Sequence, residues 1–146
     1  MPTYRITAKP NKLSDAQKDR IAEYITTVHS EITGAPAYYA QMIFDEHEYR
    51  RYIGGRPSDA QIWIRGDIRS GRTVEQRKTL VQKIVEGVSK IAEVPASDVW
   101  VYLNNLEAVD MAEFGQILPA PGKEQEWFDT LPEELQKSLQ KLISKD

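Results

Sequence analysis

The chain has 146 residues, no cysteine, and a net charge of -3 from 19 basic and 22 acidic side chains. That length supports one domain with its own apolar core, and the lack of cysteine excludes disulfides, thiolate catalysis and thiolate zinc sites. Mild acidity gives no footprint for nucleic acid or an anionic membrane; with no membrane-length apolar run and no signal-like apolar stretch in MPTYRITAKP, a cytoplasmic protein is expected.

Thr3 to Ala8 alternates weakly and reads as a short strand. Ser14, with Gln17 three residues on, has the spacing of a capping box, which satisfies two otherwise unpaired backbone donors at a helix start. Ile21, Ile25, Val28 and Ile32 then fall on one helical face, and Gly34 and Pro36 stop the helix. Tyr38 to Asp45 reads as a strand of aromatic and apolar residues, followed by a hairpin or loop from Glu48 to Ala60 with Gly54, Gly55 and Pro57.

The same grammar then recurs. Ile62 to Ile68 is a strand; Thr73 and Gln76 cap a helix with the stripe Leu80, Ile84, Val88 and Ile91; Pro95 closes it; Val99 to Leu103 is a strand. A constant shift carries Ser14 onto Thr73, Gln17 onto Gln76, Ile25 onto Ile84, Ile32 onto Ile91 and Pro36 onto Pro95. After the repeat come a linker with Pro119, Pro121 and Gly122, and a polar helix near Pro132 to Ser144. The expected α+β domain therefore spans 1–146: β-α-β units at 2–48 and 61–107, then a loop and helix at 108–146. Right-handed crossovers put both helices on one face of a four-stranded mixed sheet. Strands such as QMIFD and DVWVYLN are apolar on both sides, so the open face predicts burial against further copies.

Six residues stand out as chemically useful. Pro2 becomes a secondary amine if Met1 is removed, able to act as base or acid, although a proline after methionine is commonly idle. Arg69 and Arg72, in Arg-Ser-Gly-Arg before the capped helix, suit a carboxylate; solvated arginines paired with nearby acids are the plain alternative. His29 sits beside an apolar helical stripe, where boundary histidines are frequent. Tyr102, on the last strand of the repeat, packs by default. Glu113, in Met-Ala-Glu-Phe-Gly, is either an exposed loop acid or a partly desolvated carboxylate with a raised pKa. His29 and His47 give no metal-binding spacing, and no cofactor motif is present.

Taken together, Pro2, His29, IRSGRT with Arg69 and Arg72, VWVYLN with Tyr102, MAEFG with Glu113, and the tail around PGKEQEWF resemble the tautomerase superfamily, and within it the cis-3-chloroacrylic acid dehalogenases. The resemblance implies a homotrimer of double β-α-β subunits and a cofactor-independent enzyme acting on small unsaturated carboxylates. It gives the substrate carboxylate to Arg69, Arg72 and His29, activation of water to Glu113 and Tyr102, and protonation of C-2 to Pro2. The same scaffold supports enol-pyruvate tautomerisation by a neutral Pro2. A domain that only binds small carboxylates is the non-catalytic alternative. Phe114 stands where a tyrosine can occur, and the loop from Glu48 to Ala60 is shorter than in relatives; both bear on pocket shape.

Overall fold

The computed structural model describes residues 2–142, so the end of the helix expected to reach Ser144 lies outside the described residues. In chain order the first unit contains β1 (Thr3–Thr7), α1 (Asp15–Thr33) and β2 (Gln41–Asp45), followed by the two-residue strands β3 (Tyr52–Ile53) and β4 (Arg56–Pro57). The second contains β5 (Ile62–Arg69), α2 (Val74–Ala92) and β6 (Val99–Leu106), followed by β7 (Ala112–Glu113) and β8 (Gln116–Ile117). Two short helices, α3 (Glu124–Asp129) and α4 (Glu133–Lys141), end the described chain.

The sheet order is β2-β1-β5-β6, parallel within each unit and antiparallel where β1 meets β5. Tyr4, Ile6, Ile62, Ile64 and Ile68 point from the strands into a core shared with Ile21, Ile25, Leu80, Ile84 and Val88 of the helices. Both helices therefore cover one face, as the crossover rule requires. The opposite face carries exposed Ile43, Trp100 and Tyr102 beside Arg5 and Arg65.

The repeat is reproduced in its hydrogen bonds. Ser14 and Thr73 each form a complete capping box with Gln17 and Gln76. The Gln17 Nε2 group then donates to the Ile91 carbonyl, and Gln76 Nε2 to the Ile32 carbonyl, so each helix start binds the other helix's end. Two orphan carbonyls near the C-termini are satisfied in this way.

Several elements depart from the sequence reading. Tyr38–Ala40 is not strand: Ala37–Tyr39 is a 3-10 turn, because the Tyr39 N–H bonds the Pro36 carbonyl and turns its ring into a second core. β6 runs three residues beyond Leu103, to Leu106, because β5 offers partners as far as Arg69. Residues around Glu113 form a hairpin rather than a loop. The linker contains α3, whose Trp127 and Phe128 are buried with Leu131 and Leu139. The last helix is accordingly polar on one side only.

Candidate active site

The antiparallel register of β1 on β5 pairs Thr3 with Asp67, which sets Pro2 beside the C-terminal end of β5, where Arg69 stands. Pro2 is buried, and its carbonyl accepts the Gln41 N–H at 2.9 Å. α1 runs back over the sheet, so His29 in its last turns reaches the same end. The His29 side chain is held by Tyr4: the hydroxyl and Nδ1 are 2.8 Å apart, both residues buried. Tyr4 fits there because Gly66 has no side chain; a Cβ would lie 2.5 Å from the tyrosine ring.

Burial pushes the Tyr4 hydroxyl well above its ordinary range, so it stays protonated. Burial, and then the charges of Arg72 and Arg69, lower the His29 imidazole to about 3. His29 is thus neutral near pH 7. A buried, protonated hydroxyl needs an acceptor and Nδ1 is the one it meets, so Tyr4 donates there and the proton of the neutral ring resides on Nε2, leaving that nitrogen as a hydrogen-bond donor.

Arg69 ends β5 with its side chain 1 % exposed. One terminal nitrogen donates to the Pro119 carbonyl at 2.5 Å, the other to the Glu124 carboxylate. Its Nε–H is buried with no partner among the described residues. Arg72, in the loop before α2, is half-buried, and burial followed by the Arg69 charge lowers its pKa. Gly71 between them has a positive φ of 104° and packs under Pro121, whose Cγ would lie 2.6 Å from an added Cβ. The segment from Pro119 to Glu124 therefore lies against the arginine loop.

The structure brings Pro2, His29, Arg69 and Arg72 to one end of the sheet. Glu113 follows the same end: Arg69 pairs with Leu106, the Ser70 N–H bonds the Leu106 carbonyl, and the half-buried Glu113 lies on the β7-β8 hairpin that comes after. Tyr102 is elsewhere in the same chain. It projects from the open face of β6, 54 % exposed, against Trp63 at 5.7 Å between ring centroids. Tyr102 pairs with Arg65 and Arg65 with Arg5, so it stands two strands from β1, about 10 Å, and three residues along it from Pro2. There it lines a cleft of about 350 Å³ with Tyr52, Trp63, Trp100 and Arg51.

Two residues of this region were not found by sequence reading, Tyr4 and Glu124. A signal for Tyr4 existed: it alternates with Ile6 on the helix-facing side, where a hydroxyl needs a partner. Nothing local marks Glu124, which meets Arg69 across 55 positions of sequence. Among the described residues no cluster of His, Asp and Glu could hold a metal ion, and no helix is long and apolar enough to cross a membrane.

Residues 1–130 match the family described as "Putative oxalocrotonate tautomerase enzyme". The crystal structure of N1, a member of the cis-3-chloroacrylic acid dehalogenase family, superposes with a TM-score of 0.92 at 37% identity, over 95% of this chain and 99% of that one. The native structure of Ps01740 is 29% identical, with a TM-score of 0.72 over 76% of this chain and 99% of its own. A fused 4-OT solved as an asymmetric trimer is 20% identical, has a TM-score of 0.72, and is alike over 79% of this chain and 94% of its own, a likeness of fold. Against curated protein sequences nothing matches.

Proposed function

The chain belongs to the tautomerase superfamily, close in structure to the cis-3-chloroacrylic acid dehalogenase family, and from that premise we propose that it is a Pro2-dependent enzyme acting on small unsaturated carboxylates by hydration or hydrolytic dehalogenation. The observation that carries this reading is the gathering of Pro2, neutral His29, Arg69 and Arg72 at one sheet end.

In this reading the substrate carboxylate takes hydrogen bonds from Arg72, from the unpartnered Nε–H of Arg69 and from Nε2–H of His29. Ionised Glu113, assisted by Tyr102, removes a proton from water as its oxygen bonds to C-3. The electron pair of the double bond moves toward C-2 and the carboxylate, where the arginines stabilise the growing charge. The Pro2 ammonium, freed by removal of Met1, delivers a proton to C-2. With a 3-halo substrate the product halohydrin loses hydrogen halide and leaves malonate semialdehyde. A cationic Pro2 is required, which Glu113 favours and the arginines oppose.

Tyr102 joins this chemistry only from a neighbouring copy, since within one chain it lies on the far face of the sheet. A homotrimer supplies such a neighbour and covers the exposed Ile43, Trp100 and Tyr102; the fused 4-OT of the same fold assembles as a trimer. The match to the oxalocrotonate tautomerase family supports a second activity at the same residues, enol-pyruvate tautomerisation by the neutral proline. A Pro2→Ala variant tests the proposal against a binding module: turnover is lost and carboxylate binding remains. A variant that turns substrate over as before would overturn it.

A further inference from the structure

The carboxylate of Glu124 already occupies one face of the arginine proposed to receive the substrate. Arg69 gives one nitrogen to Glu124 and another to the Pro119 carbonyl; the arginine is shut off from water and the glutamate partly so, the two side chains being 1 % and 18 % exposed. Burial alone would raise the Glu124 carboxyl, but hydrogen bonds from Arg69 and from the backbone N–H groups of Glu124 and Gly122, with the Arg69 charge, outweigh it and hold the carboxyl below its usual range. Glu124 is therefore an ionised, built-in counter-ion. The contact between Gly71 and Pro121 fixes the segment that carries it against the arginine loop.

Two guanidinium charges, a neutral imidazole and one carboxylate leave the receptor at +1. The Pro2 ammonium and the Glu113 carboxylate of the proposed chemistry cancel each other. A monocarboxylate brings the receptor to zero; a dicarboxylate leaves an uncompensated negative charge where water is scarce and Coulomb repulsion is poorly screened. We propose that Glu124 is a specificity-determining residue, an internal counter-ion that sets the Arg69–Arg72 receptor to monoanionic substrates and against dianionic ones. This inference rests on the reading that those arginines receive the substrate carboxylate.

The test is calorimetric titration of the protein with acrylate and with maleate, the same skeleton bearing a second cis carboxylate, at a pH where both are fully ionised. The wild type binds acrylate more tightly. In E124Q, which keeps a hydrogen-bond acceptor but removes the charge, the preference moves toward maleate by roughly tenfold or more, the weight of one unit charge at close range. E124D keeps the wild-type ratio. A folded E124Q with an unchanged ratio overturns the inference, and so does a wild type that binds maleate as tightly as acrylate. That last comparison stands even where E124Q does not fold. If Arg72→Ala leaves acrylate binding untouched, the failure lies with the receptor reading itself rather than with the role of Glu124.

Discussion

The Tyr4 hydroxyl bonds Nδ1 of His29 at 2.8 Å, joining a strand side chain to a helix side chain inside the core. That contact decides which imidazole nitrogen carries the proton, on a ring that stands at the sheet end holding Pro2. Tyr4→Phe removes it and leaves a buried nitrogen without its partner. Chemical denaturation should show a loss of about 1–2 kcal/mol. Acrylate affinity should fall several-fold while Phe keeps the packing, with the fold intact by circular dichroism.

Because His29 is neutral in the folded chain and titrates normally once unfolded, the unfolded state binds more protons below its ordinary pKa of 6.5. Its contribution is fully present above that value and is lost as pH falls toward about 3. Denaturation at a series of pH values should show stability dropping over this window by up to about 1.4 kcal/mol per pH unit. His29→Gln should flatten that part of the curve. An unchanged slope would contradict a buried neutral His29.

The two arginines should separate on substitution. Arg72 is half-buried, so Arg72→Ala should weaken carboxylate binding by roughly ten- to a hundredfold, the value of a charged hydrogen bond, with little effect on folding. Arg69→Ala should weaken binding and also destabilise the protein by about 3 kcal/mol, because it strands Glu124 and the Pro119 carbonyl. Thermal melts beside titrations check both.

Phe114 has a positive φ of 53° in the turn of the β7-β8 hairpin, beside Gly115 at 78°. The corresponding turn between β3 and β4 uses Gly54 and Gly55 at 56° and 77°. A phenylalanine pays a steric penalty there that glycine avoids. Phe114→Gly should leave stability unchanged or raise it by up to about 1 kcal/mol. A change in substrate preference in the same variant would mark the ring as part of the pocket wall.

Much of the fold was legible because its determinants are local and occur twice. Ser14 with Gln17, Thr73 with Gln76, and the two apolar stripes define both helices, and the repeat implies their arrangement. Tyr38 and Tyr39 misled because aromatic side chains suit a strand as well as a 3-10 turn that plants them in a second core. That core also explains why the linker and the last helix read as polar: Phe128, Leu131 and Leu139 are spread among charged residues, and only the folded chain assembles them. In the site, the resemblance pointed to Arg69 and His29 but not to their partners. Both partners belong to other elements, one of them 55 residues away, and no spacing rule reaches across that distance. Tyr102 was legible as a residue type; its far face follows from strand parity once the register is fixed.

Turnover by the Pro2 amine is checked by incubating the protein, its terminus shown by mass to begin at Pro2, with cis-3-chloroacrylate and following the products by proton NMR. Malonate semialdehyde should form with the wild type and not with Pro2→Ala or with chains that retain Met1. No turnover by the processed wild type, or undiminished turnover by Pro2→Ala, would contradict it.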